Sequence, residues 1–104
     1  MNKTALILTV RTKPGKRDEL RALWNRQLRP RAETNDAQEL YLDCYDAQDP
    51  DTIHMVEVYG DPQAMQSNAS APWFADYMRA AAPLLDGAPR MVTAAPQWAK
   101  GYAL

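Results

Sequence analysis

One cysteine and one histidine are all that this 104-residue chain holds of the side chains most used to bind transition metals. A lone Cys44 excludes an internal disulfide and a cysteine-based metal cluster. A lone His54 excludes a histidine-rich metal site, and the carboxylates around it show no ligand spacing, so no metal is expected. Long hydrophobic runs are missing as well. The longest near the start, residues 5–10, is far too short to span a bilayer, so no membrane partner is expected. No small-residue cleavage site follows that run, which reads as the absence of a signal peptide and predicts a cytoplasmic protein. Repeats, low-complexity tracts and linkers are absent too, and residues 1–104 read as a single domain.

Positive charge is missing from a long stretch. Between Glu33 and Asp61 there are nine acids and no Lys or Arg, whereas eight of the twelve basic residues lie between Arg11 and Arg31. An acidic segment directly after a basic one would repel phosphate, so nucleic acid is not an expected partner. The pattern reads as a solvated basic helix face beside an acidic hairpin, or as basic and acidic surfaces that attract in self-association.

What is present is ordinary for a soluble globular protein: 46% hydrophobic and 24% charged residues. Residues 4–12 alternate as a strand with both faces fairly apolar. Pro14-Gly15 marks a turn, and Leu20, Leu23, Trp24 and Leu28 then fall at helical spacing until Pro30 ends or kinks the helix. Thr34-Asn35-Asp36 reads as a loop. From Glu39 to Asp46, Leu40, Leu42 and Cys44 alternate with a polar-aromatic set, Tyr41, Asp43 and Tyr45, assigned to the outer face; Cys44 then reads as a buried thiol. A turn at 48–51 leads to a returning strand, residues 52–59. Asp61 is a good N-cap and Pro62 suits a first helical turn. Asn68-Ala69-Ser70-Ala71 interrupts that helix, and a second piece from Pro72 to about Leu85 carries Trp73, Phe74, Tyr77, Met78 and Ala81 on one apolar face. Residues 91–98 read as a final strand, weakened by Pro96. The sum is an α+β, ferredoxin-like βαββαβ fold with a four-stranded antiparallel sheet and helices on one face. Its other face would be bare and apolar, and a second copy of the chain is the simplest cover.

Several short stretches, in order, resemble one family. They are Val10-Arg11-Thr12-Lys13-Pro14-Gly15-Lys16-Arg17-Asp18-Glu19-Leu20, Pro30-Arg31-Ala32-Glu33, Asp49-Pro50-Asp51, Glu57-Val58-Tyr59-Gly60-Asp61 and Ser70-Ala71-Pro72-Trp73-Phe74. Together they resemble the antibiotic biosynthesis monooxygenase (ABM) domain, the dimeric α/β-barrel family that includes small quinol monooxygenases. The resemblance implies a homodimer that oxygenates an electron-rich aromatic, quinol or polyketide-like, with O2 and no cofactor. Asn68, Trp73 and Tyr77 offer the residue types used by the polyketide-oxidising branch. Many members carry histidines where this chain has Asn68 and Trp73, and Met78 stands near the position of the haem-ligating histidine of the haem-degrading branch. Those departures disfavour haem degradation and keep open a non-catalytic small-molecule binder or a cyclase-like protein.

Oxygenation of this kind needs a dry aromatic pocket, a proton acceptor and donors for a developing phenolate. Trp73 could stack on a planar ring, and Asn68 could donate its amide or simply cap the helix break. Tyr77, one turn on, adds a hydroxyl. Trp24, Tyr59, Phe74 and Met78 are the candidate substrate-binding side chains. His54 is the candidate base, as the only group whose ordinary pKa is near neutrality. It shares a strand face with Val56 and Val58, so it points into the pocket or into a packed layer. Glu57 reads as a structural acid paired with a basic residue.

Overall fold

A computed structural model describes residues 3–104. The elements are β1 (Thr4–Arg11), α1 (Arg17–Gln27), α2 (Arg29–Thr34), β2 (Gln38–Tyr45), β3 (Thr52–Tyr59), α3 (Pro62–Ala69), α4 (Pro72–Ala81) and β4 (Arg90–Ala94). The strands pair antiparallel in one sheet ordered β2-β3-β1-β4, which is the predicted α+β ferredoxin-like arrangement.

Local chemistry explains the element boundaries. Gly15 takes a left-handed φ of 77° after Pro14, and its N–H donates to Asp51 Oδ1 at 3.0 Å, tying this turn to the β2–β3 turn. Pro30 has no N–H to give, so α1 cannot run on. The chain breaks at Leu28 and restarts as α2, with Pro30 in a first turn where the missing donor costs nothing, and Thr34 closes that helix instead of opening a loop. Asp61 caps α3, accepting from the Ala64 N–H at 2.7 Å. Pro83 shortens α4, which passes into a 3-10 turn over Ala82–Leu84. The last strand ends at Ala94, ahead of Pro96, rather than at residue 98.

Alternation along the strands sorts the side chains. Val10 and Ile53 join Leu20 and Leu23 of α1 and Tyr77 and Ala81 of α4 in the core. Leu20 and Leu23 are 3% and 6% exposed, and burying each contributes roughly 1.5–3 kcal/mol. Ile7, Leu42 and Val92 lie on the opposite face and are exposed.

The faces of β2 are the reverse of the sequence expectation. Register pairs Tyr41 with Glu57, Asp43 with Met55 and Tyr45 with Ile53, which turns the polar-aromatic set toward the helices. Leu42 and Cys44 therefore face away from the helices, and Cys44 is exposed, not buried. Each inward polar group finds a partner on α1. Tyr41 packs on Trp24 with ring centroids 5.1 Å apart, Asp43 takes Arg21 at 2.8 Å, and Tyr45 donates to Asp18 at 2.6 Å. Arg17 stacks 3.8 Å over Tyr45 and donates to the carbonyls of Asp46, Asp49 and Thr52. Basic helix and acidic hairpin thus meet within one chain.

Candidate functional site

Helices and sheet enclose a cavity of about 230 Å³. Leu6, Leu8 and Val10 form its floor, and Trp24 and Leu28 of α1 stand at one side. The helix break at Ser70-Ala71 lets Pro72 restart the chain so that Trp73, Phe74, Tyr77 and Met78 line the other. Trp73 and Phe74 meet edge to face at 6.4 Å, and Phe74 lies 6.4 Å from Tyr77. Met55, Met65, Met78 and Met91, all of the methionines among the described residues, line the same cavity. Thioether side chains are flexible and polarizable, which suits a wall that must fit flat rings of varied outline.

One part of the wall is polar. Glu57 is 6% exposed, and its Oε1 accepts from the Tyr59 hydroxyl and from Gln38 Nε2, the latter at 2.9 Å. Gln38 also reaches the Tyr59 oxygen at 2.9 Å, and Asn68 Nδ2 donates to it at 3.0 Å. Asn35 in turn donates to Asn68 Oδ1 at 3.4 Å. Oε2 of Glu57 has no hydrogen-bond partner among the described residues, and Glu57 lines the cavity. Burial pushes the Glu57 carboxyl above its ordinary pKa, the bonds from Tyr59 and Gln38 pull it partly back, and no cation contributes. It is therefore not the ion-paired structural acid that the sequence suggests. Tyr59 is raised by burial and then by Glu57, which keeps its proton in place.

Two donors remain unused. The Tyr77 hydroxyl has no hydrogen-bond partner among the described residues, and burial raises its pKa to about 12. Trp24 Nε1 is buried without a well-aligned acceptor, although it lies beside the Tyr41 hydroxyl, itself bonded to Met55 Sδ at 3.2 Å.

The cavity brings together seven of the residues expected from sequence: Asn68, Trp73, Tyr77, Trp24, Tyr59, Phe74 and Met78. His54 is not among them. It pairs with Thr9 and Cys44 on the sheet face turned from the helices, where Nε2 meets Asp46 Oδ1 at 2.6 Å and Nδ1 meets the Thr9 hydroxyl at 3.2 Å. Asp46 is held well below the usual carboxylate range, first by the Asp49 N–H and then by His54. As a base for this cavity His54 is corrected by its strand parity. The groups missed are Glu57, Gln38 and Arg31. Parity was the available signal for Glu57, which shares its strand face with Ile53, Met55 and Tyr59 and alternates with Val56 and Val58. Among the described residues no His, Cys, Asp and Glu side chains converge in a group fit to hold a metal.

The fold and this cavity define a class, the small ferredoxin-like α+β proteins that hold a ligand pocket between sheet and helices. Solved structures narrow it. A protein from Chloroflexus aurantiacus, provisionally named an antibiotic biosynthesis monooxygenase, superposes with a TM-score of 0.79 at 26% identity, over 96% of this chain and 98% of its own. One from Caulobacter crescentus, named in the same provisional way, gives 0.85 at 14% identity, over 93% and 92%. A Nitrosomonas europaea protein of unknown function gives 0.82 at 24% identity, over 99% and 97%. The chain thus matches ABM structures across nearly its full length, in the fold that the sequence resemblance implied. No protein-family model and no curated protein matches the sequence.

Proposed function

We propose that the chain is a cofactor-independent monooxygenase of an electron-rich phenol or quinol. The observation that carries this reading is the Glu57 carboxylate: a buried base with one oxygen fixed and the other free, set in a largely apolar, aromatic cavity. An engineered cavity of about 150 Å³ takes benzene, so a cavity of about 230 Å³ suits a substrate of one or two fused rings.

The chemistry closes without an added reductant. Hydroquinone plus O2 gives hydroxyquinone plus water, the ring losing four electrons and O2 accepting four. Glu57 Oε2 takes the phenolic proton, at a pKa raised toward the working pH. The Tyr77 hydroxyl, which has no hydrogen-bond partner among the described residues, donates to the phenolate oxygen. The electron-rich ring passes one electron to O2, the two radicals join at a ring carbon as a peroxide anion, Glu57 returns its proton to give the hydroperoxide, and loss of water leaves the new carbonyl. Tyr59, Gln38 and Asn68 keep Glu57 in place, and Trp73 and Phe74 stack on the ring.

A homodimer completes the proposal. Ile7, Leu42 and Val92 are 42%, 55% and 49% exposed on one sheet face, an apolar surface that a second copy would cover. Oxygen uptake by the purified protein with hydroquinone, above the rate of autoxidation, tests the activity. Saturable ligand binding with no uptake would leave a binding protein instead.

A further inference from the structure

Arg31 is the one Lys or Arg among the described residues that lines this cavity, and no carboxylate among them pairs with it. Most of the basic stretch is engaged elsewhere. Arg11 lies 3.9 Å from Asp49 and from Asp86, Lys16 reaches Glu19, Arg21 holds Asp43, and Arg29 takes Glu33 at 2.7 Å. Arg17 is fixed by three carbonyls and the Tyr45 ring. Arg31 has no acidic partner among the described residues, yet it lines the cavity, with its guanidinium carbon 5.3 Å from the centre of the Trp73 ring. Its place follows from the break at Leu28, which starts α2 beside the Trp73 helix.

A guanidinium held over an indole keeps its N–H edge free, and that edge matches a carboxylate in a two-bond fork. The other charge at the cavity is Glu57, buried on β3 against Gln38 and Tyr59, whereas Arg31 is exposed on α2 over Trp73. The two charges therefore act on different parts of a ligand. The buried carboxylate accepts a phenolic proton, and the exposed guanidinium offers a cation at the rim. Resting on the oxygenase reading for the phenolic end, we propose that Arg31 recognises a carboxylate on the substrate. The substrate class is then a hydroxylated aromatic acid, its ring against Trp73 and its acid group on Arg31.

Two probes that differ only in that group test the idea: 2,5-dihydroxybenzoate and hydroquinone, titrated calorimetrically into the protein. The wild type is expected to bind the acid about tenfold more tightly, as one charge-assisted hydrogen-bond pair at a solvated rim allows, with the preference shrinking as salt rises. Arg31→Gln should bring the ratio of the two dissociation constants to about one, and Arg31→Lys should recover part of it. Arg31 is exposed, so these variants fold, and circular dichroism checks that they do. A wild-type ratio near one overturns the proposal. So does an Arg31→Gln variant that weakens both probes equally, since Arg31 would then only support Trp73. Oxygen uptake is scored separately: selective binding without turnover keeps this inference and removes the oxygenase, whereas turnover with no acid preference does the reverse.

Discussion

Replacing Glu57 with Gln separates its charge from its shape. The amide oxygen of Gln can still accept from Tyr59 and from Gln38, so the buried network survives, with the new NH2 group placed where Oε2 faces the cavity. Glu57→Ala would instead strand both donors, at about 1–3 kcal/mol each, a large share of a stability of about 5–15 kcal/mol. Glu57→Gln should therefore fold, and its turnover should fall by about 10²–10⁴, the usual contribution of a positioned base. Stability gives an independent reading. Burial raises the folded carboxyl's pKa above its unfolded value. The stability contribution of Glu57 is thus complete below the unfolded pKa and is lost as pH rises through the folded one. Gln does not titrate, so the variant and wild type should melt alike below the unfolded pKa, and the variant should gain on the wild type as pH rises to the folded pKa and hold that gain above it. Oxygen uptake with hydroquinone and a pH series of melting curves measure the two effects. Turnover within about threefold of wild type would refute the role of Glu57 as base, and a melting difference independent of pH would refute its shift by burial.

His54→Ala should change turnover by less than about threefold, against the hundredfold or more that a lost general base costs, because the ring lies on the far sheet face; a hundredfold loss would restore it as the base. Leu42→Asp places a charge on the proposed dimer face, where an unpaired buried ion costs several kcal/mol, and light scattering should then show a monomer where the wild type shows a dimer. Arg21→Met leaves Asp43, whose side chain is 10% exposed, without its cation; chemical denaturation should show a loss of about 2–3 kcal/mol, below the 3–5 of a fully buried pair because Arg21 is 35% exposed. Adding Asp43→Leu should recover most of that loss, and equal stability of the single variant would show that the ion pair contributes nothing.

Periodicity made the element order legible because strand and helix spacing depend only on neighbours along the chain. Asp61 and Pro62 announced α3 for the same reason: capping is local chemistry, and the cap is in place. The aromatic helix restart at Pro72-Trp73-Phe74 was equally readable, and all its large side chains line the cavity. The faces of β2 were not. Tyr41, Asp43 and Tyr45 form a polar set that suggests solvent, yet Trp24, Arg21 and Asp18 receive them from a helix that the sequence places some twenty residues away. Polarity predicts exposure only when no partner stands opposite, and partners are a tertiary fact.

The choice of base turned on the same point. His54 has the better ordinary pKa and Glu57 the worse one, so chemistry taken residue by residue favours the histidine. The two are three residues apart on β3, an odd spacing, and a strand sends such a pair to opposite faces. Once Ile53 is in the core, Glu57 must look toward the helices and His54 away from them. Burial raises the Glu57 carboxyl above its ordinary pKa, so the face that keeps the histidine from the cavity also makes the glutamate a stronger base. The parity of one core isoleucine in β3 thereby decides which of the two side chains lines the cavity.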